Sequence, residues 1–264
     1  MRQTASDAGP ATGAVRALAA RSWLGLAGLA VLLALWWAAT GAGQAQGLAA
    51  RFAPAATLAS AAELLRQPDF AQHVLVSLRR VLLGLAMALA AGVPLGLLVG
   101  AARRVDAALS PAFQFLRMIS PLSWMPVVVM VLGVGDRPVL FLLAFAGVWP
   151  ILLNTAAGVR QLDPRWVMLA RSLAATRWEL LTRVVLPGVV GNVLTGLRLS
   201  IGIVWIVLVP AEMLGVNAGL GYFILDTRDR LAYSELLATV LVIGLLGFLL
   251  DSGARWLQRW WAPA

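Results

Sequence analysis

From Val81 to Ala102 the sequence carries no charged side chain. A stretch of that length crosses the hydrocarbon layer of a bilayer as a helix, which takes about 20 largely apolar residues. Inside lipid each backbone N–H and C=O has to find its partner within the protein, and a helix does this without help from neighbours. Comparable runs occur at Ser22–Ala39, at 108–134, at 138–159, at 188–212 and at Glu235–Leu250, giving six predicted spans in 264 residues. Hydrophobic residues make up 61% of the chain, where a soluble domain holds roughly half. The expected fold class is all-α: a polytopic membrane protein of about six transmembrane helices.

The segments between these runs suggest the organisation. Residues 1–21 read as a cytoplasmic tail, 22–40 as the first transmembrane helix and 41–72 as a periplasmic segment. Residues 73–258 read as a five-helix core that includes a cytoplasmic loop at 160–187, and 259–264 as a second cytoplasmic tail. Trp23, Trp36 and Trp37 stand near the ends of the first run, where indoles favour the membrane interface. Arg16 and Arg21 before that run, with Ala42, Gly43 and Ala45 after it, also fit a cleaved signal peptide. Leu58–Leu65, between Pro54 and Pro68, reads as a short amphipathic helix outside the membrane.

In the second span Gly84, Ala88, Gly92, Gly96 and Gly100 recur every four residues, a stripe that lets another helix approach closely. Pro94 predicts a kink there. The third span is interrupted by Ser120-Pro121-Leu122-Ser123-Trp124-Met125-Pro126, whose two prolines break the hydrogen-bond ladder. With the N terminus inside, twelve arginines fall in cytoplasmic segments, among them Arg103, Arg104, Arg160 and Arg255, against five outside. That asymmetry obeys the positive-inside rule and puts both termini in the cytoplasm.

The basic side chains are all arginine, with no lysine, no cysteine and a single histidine, His73. Without lysine the chain has no phosphate-binding loop of the Walker type, so any ATP coupling belongs to another subunit. One histidine and no cysteine leave no zinc cluster and no histidine-assisted nucleophile, so neither catalytic nor metal-ligating residues are expected and the chain is not read as an enzyme. His73 is expected to be structural or interfacial. The net charge of +9 sits on arginines placed between apolar runs, which points to membrane topology rather than nucleic acid.

The loop from Asp163 to Pro187 is too long and too helix-prone for a connector. Asp163 suits an N-cap and Pro164 the first helical position, so a helix is expected from Arg165 to Ala174. Thr176-Arg177-Trp178-Glu179 has the capping-box pattern and predicts a second helix toward Val185, stopped by Pro187. Ala170 and Ala174 offer a small-residue strip to a protein partner. Arg171, Trp166 and Trp178 suit an amphipathic helix lying on lipid equally well.

The run Met168 to Pro187 resembles the EAA loop of ABC importer permeases. Ala170, Leu186 and Pro187 match its pattern and Val184 nearly so, while Met168 replaces its glutamate, Leu169 an alanine and Ala174 its glycine. Further blocks extend the resemblance over roughly 70–252, closest to the nitrate, sulfonate and taurine group: Ser77-Leu-Arg-Arg, Ser120 to Pro126, Gly133-Val-Gly135, Trp149-Pro-Ile-Leu-Leu-Asn-Thr155, Gly196-Leu-Arg198, Ala211-Glu-Met-Leu214 and Gly219-Leu-Gly221. The resemblance implies the type I importer permease architecture, set in a bacterial inner membrane, and alternating access for a small anionic solute such as nitrate, a sulfonate or taurine. It implies a permease homodimer, a dimer of ABC ATPase subunits and a periplasmic solute-binding protein. ATP and Mg would lie in the ATPase, with no cofactor in this chain. Coupling to the ATPase is implied for Arg165, Met168, Leu169, Ala170, Arg171, Ala174, Ala175 and Thr176.

Ionisable residues inside a membrane are functional candidates by default. By helical rise Arg117 lies roughly 13 Å and Arg198 about 15 Å from the cytoplasmic ends of their spans. Both suit an anion pathway, and each also fits a pairing with backbone carbonyls or a subunit boundary. Ser120, Ser123 and Trp124 join as pathway candidates because broken helices line cavities. Glu212, near the outer end of the fifth span, reads as a gate, an arginine partner or a boundary residue. A self-contained secondary transporter or channel is the alternative class.

Overall fold

The computed structural model describes Trp23, residues 27–40 and residues 51–261. The 1–21 tail, the small residues Ala42 to Ala45 and the last three residues lie outside the described residues. Helices run in the order α1 (Ala27–Ala39), α2 (Pro54–Leu64), α3 (Pro68–Ala101), α4 (Arg103–Met118), a 3₁₀ turn (Pro121–Trp124) and α5 (Met125–Leu132). They continue with α6 (Asp136–Gln161), α7 (Pro164–Ser172), α8 (Arg177–Leu180), a π turn (Leu181–Val185), α9 (Leu186–Met213), α10 (Leu220–Asp229) and α11 (Tyr233–Trp261).

Among the described residues four helices are long and apolar enough to cross a membrane: α3, α6, the continuous Arg177–Met213 and α11. The third predicted span is not a straight helix. It divides into α4 and the Pro121–Leu132 piece, bent by 87°. The bend has a local cause: Pro121 and Pro126 have no amide to continue the ladder, and Ile119 and Ser120 are extended. The short apolar α1 corresponds to the first predicted span.

The glycine stripe sets how α3 and α6 meet. A Cβ on Gly84, Gly92, Gly96 or Gly100 would press on Leu143, Ile151, Thr155 or Val159 respectively, at 2.6 to 2.9 Å. The facing residue advances in step with the glycine, so α3 and α6 run in the same direction. Two spans with the same direction need a crossing between them, and the bent 103–132 segment supplies it, making five crossings from Pro68 to Trp261. The α3 helix runs unbroken through Pro94.

The α9 helix packs on the adjoining face of α6, where Gly147 and Ile151 meet both α3 and α9, and runs the other way. Gly147 faces Val204, Gly158 faces Asn192, and Ser200 donates to the Gly147 carbonyl at 2.6 Å. Leu142, Leu143, Ala146, Ile151 and Leu152 of α6 are fully buried, so α6 is the centre of the bundle. Pro187 does not stop the preceding helix as the sequence suggests. The π turn just before it widens the ladder, which accommodates the missing amide and the ring against the carbonyl one turn back, and the helix continues to Met213. The α11 helix carries on through Arg255 to Trp261, with Trp256 and Trp260 stacked at 6.3 Å. On its other end it holds the residues leading into α2 through Ser234, which donates to the Arg51 carbonyl at 2.7 Å, and through the Phe52–Tyr233 ring contact.

Candidate functional site

At the Asp136 end of α6 a buried ionic cluster binds four helices together. Glu212 of α9 has no exposed surface, and its carboxylate accepts from Arg80 of α3 at 2.7 Å, from Ser77 at 2.8 Å and from the Gly221 amide at 2.9 Å. Arg80 also donates to Asp136 at 2.6 Å and to the Ala218 carbonyl at 2.6 Å. The Ser77 hydroxyl accepts from the Leu220 amide at 2.8 Å, and the Gly219 amide donates to Nδ1 of His73 at 3.0 Å. Gly219 sits at φ 121°, and a Cβ there would collide with the Glu212 carboxylate. Glu212 is thus a structural partner of Arg80, and His73 is held as the sequence suggests, in a structural contact. The sequence blocks Ser77 to Arg80, Gly133 to Gly135, Ala211 to Leu214 and Gly219 to Gly221 meet at this one place, with Gly135 bonded to Gly215 at 3.0 Å. Sequence reasoning missed the roles of Ser77, Arg80 and Asp136, although Arg80 stands directly before the uncharged run and carried the signal.

Near the middle of the bundle a cavity of about 450 Å³ is walled by Arg117, Pro121, Trp149, Asn154, Leu199 and Ile203, among others. A second, of about 230 Å³, shares Arg117, Trp149 and Leu153 with it and continues along α4 past Gln114 and Ser110 to Asp106 and Arg160. Asp106, Ser110, Phe113, Gln114 and Arg117 fall on one face of α4 because they are spaced three or four apart. Among the described residues Arg117 has no ion-pair or hydrogen-bond partner, and the buried indole N–H of Trp149 has no acceptor. Phe145 and Trp149, one turn apart and 5.5 Å between ring centres, continue to Phe113 at 5.8 Å and Trp124 at 6.0 Å. Trp124 is therefore part of an aromatic wall, and its own indole N–H is buried without an acceptor. Ser120 and Ser123 are exposed and do not line either cavity.

Arg198 does not share a cavity with Arg117. It turns to α11, where it lies 3.5 Å from Asp251 and 3.5 Å from the Gln258 amide oxygen. Of the two arginines read as pathway candidates or as pairing residues, Arg117 lines the cavity and Arg198 makes an inter-helix contact. Asp251 had no visible connection to Arg198 in the sequence, since only packing brings α9 and α11 side by side.

The 163–187 loop has the predicted punctuation. The Asp163 carboxylate accepts from the Arg165 amide at 2.8 Å, and Thr176 and Glu179 form a reciprocal capping box. Hydrogen bonds from the Thr176 backbone and hydroxyl, with Arg183 nearby, hold the Glu179 carboxyl below the usual range. The helix that continues from Glu179 to Met213 is longer than a bilayer requires, so its first turns stand outside the apolar layer. The small-residue strip does not form: α7 ends at Ser172, Ala170 is buried, and Ala174 lies beyond the helix at φ 55°. The amides of Ala174 and Ala175 bond back to the carbonyls of Arg171 and Ala170, both at 3.0 Å, which closes a Schellman turn. Its left-handed position normally takes glycine, so Ala174 occupies a site that costs an L-residue about 1 kcal/mol. The exposed surface of the loop is instead apolar and basic: Trp166, Met168, Leu169, Leu173 and Trp178, with Arg165, Arg171 and Thr176 alongside and Ala175 half-buried.

Residues 92–264 match the family described as binding-protein-dependent transport system inner membrane component. The bicarbonate transport system permease protein CmpB of Synechococcus elongatus is 40% identical over 190 residues, 71% of this chain and 68% of that one. The nitrate import permease protein NrtB of Leptolyngbya laminosa is 36% identical over 180 residues, 68% and 64%. The taurine transport system permease protein TauC of Escherichia coli is 35% identical over 192 residues, 73% and 70%. In shape, a chain of the inward-facing MetNI methionine ABC transporter superposes with a TM-score of 0.60 at 15% identity, covering 76% of this chain and 97% of that one. Family model, relatives and fold agree: the chain belongs to the binding-protein-dependent transport system inner membrane components, as a multi-pass, non-enzymatic ABC permease subunit that works with an ATPase and a binding protein.

Proposed function

We propose that this permease conducts a small oxyanion of the bicarbonate, nitrate or sulfonate class through the cavity at Arg117. The observation that carries this reading is an exposed guanidinium, Arg117, on the cavity wall level with the middle of α6, with no acid partner among the described residues and beside an indole N–H that lacks an acceptor. A charge at that depth is costly unless a ligand or water meets it, and the planar fork of guanidinium matches an oxyanion. Relatives whose names specify bicarbonate, nitrate and taurine support the same class. The loop end of the bundle, rich in arginine, faces the cytoplasm with both termini, and the ionic cluster faces the periplasm. Two copies of the chain flank the pathway, and ATP with Mg is used in the ATPase. Residues Arg165 to Thr176 dock there through Met168, Leu169 and Leu173, where the Met168 side chain replaces a charged anchor with an apolar one.

The test is uptake by the reconstituted transporter, with permease, ATPase and binding protein, of labelled bicarbonate, nitrate and taurine in turn. ATP-driven uptake of one of them is expected, with a fall of tenfold or more in Arg117→Gln. Undiminished uptake in an assembled Arg117→Gln transporter removes the cavity from the pathway. Uptake of none of the three by the unaltered transporter removes the solute class.

A further inference from the structure

The second cavity ends in an ion pair that no part of the transport reading uses. Asp106 Oδ1 lies 2.8 Å from an Arg160 guanidinium nitrogen and accepts from the Ser110 hydroxyl at 2.7 Å. Asp106 belongs to α4 and Arg160 to the last turn of α6, so the pair ties these helices at the loop end. The tie matters because little else holds α4. None of its side chains is buried, it joins α3 through one extended residue, Ala102, and it ends at the 87° bend. Its remaining described attachment to α6 at this level is the Phe113–Trp149 ring contact.

The chemistry of the two cavity arginines then differs in one respect. Arg117 has no carboxylate, whereas Arg160 already holds one, and Gln114 and Ser110 lie between them along the same wall. Both groups of the pair are partly exposed, at 49% for the Arg160 side chain and 31% for Asp106, so the bond is open to exchange with a competing anion. An oxyanion offers Arg160 the same acceptor geometry that Asp106 does.

Resting on the anion-pathway reading above, we infer that Arg160 is a second anion station at the inner mouth, with Asp106 as its built-in counter-anion. An oxyanion leaving Arg117 displaces Asp106 from Arg160, which unties α4 from α6 and opens the mouth. With the station empty, Asp106 returns to Arg160 and cancels its positive charge, so the mouth no longer attracts anions from the cytoplasm. The device therefore favours release over re-entry.

The chain has no natural cysteine, so a single Gln114→Cys is the permease's one thiol, and labelling is read on the permease band alone. In inside-out vesicles holding the permease with its ATPase and binding protein, the rates of modification by 2-sulfonatoethyl and 2-trimethylammonioethyl methanethiosulfonate are compared. The two reagents differ chiefly in the sign of their charge. Asp106→Asn is expected to raise the anion-to-cation rate ratio about threefold or more, as removing one charge about 12 Å away along the helix should. Arg160→Gln is expected to lower it, and Ser110→Ala, which removes the hydrogen bond that positions the carboxylate against Arg160 and so weakens the cancellation, to raise it modestly. If Asp106→Asn does not assemble with its partners, Ser110→Ala is the reading that decides. A ratio indifferent to Asp106 and Ser110 overturns the inference. Uptake measured in Arg117→Gln separates the two claims: a normal uptake there defeats the pathway reading, whereas a fixed ratio with reduced uptake defeats only the counter-anion at Arg160.

Discussion

Two single residues show how the same chemistry carries different weight by position. Arg80 meets both Asp136 and Glu212, but Asp136 is 57% exposed and Glu212 is wholly enclosed. Removing one side of a buried pair strands the other charge and costs about 3–5 kcal/mol, while an exposed partner contributes about 1 kcal/mol or less. Glu212→Gln is therefore expected to lower the thermal unfolding midpoint in detergent sharply, and Asp136→Asn to lower it slightly. Equal effects would show that the cluster is not organised by burial. Ala174 poses the opposite case, a residue whose replacement is expected to help. Its left-handed backbone suits glycine, so Ala174→Gly should stabilise the loop by about 1 kcal/mol, read as slower amide hydrogen exchange across residues 170–176. Faster exchange would mean that the turn relies on the alanine methyl.

At the level of elements the small-residue stripe decides how α3 sits on α6. Stripe positions were legible because a period of four residues marks one helix face, whereas the partner and its direction were not, since nothing local links Gly96 to Thr155. A Cβ at Gly96 would lie 2.6 Å from the Leu152 carbonyl oxygen, an atom that cannot rotate away. Gly96→Ala should cost about 1–3 kcal/mol through overpacking. Gly244→Ala is the control: nothing lies within 4 Å of that Cβ, so the change should be neutral or mildly stabilising. Similar midpoints for the two variants would argue against close α3–α6 contact. The coupling loop shows the same division between local and distant information. Its N-caps are written in adjacent residues and form as expected, while the fate of Pro187 depended on a π turn that no local rule specifies.

For the whole molecule the decisive question is how the chain returns across the membrane between α3 and α6. Their common direction requires 103–132 to cross despite its bend. In the cysteine-free chain, Arg104→Cys and Val134→Cys, both exposed positions, should react with an impermeant reagent from opposite faces. Reaction from the same face would make the segment re-entrant. The sequence alone determined that the chain is a helical membrane protein and where the two loop helices are capped, because hydropathy and caps are properties of short stretches. It also carried the resemblance that the relatives and the family match bear out. Only the tertiary structure decided that Glu212 belongs to Arg80, that Arg198 faces Asp251 and that Arg117 is left to the cavity. Ionic partners in a bundle are chosen by which helix faces meet, and residues as far apart in the chain as Arg80 and Glu212, 132 positions, meet only after packing.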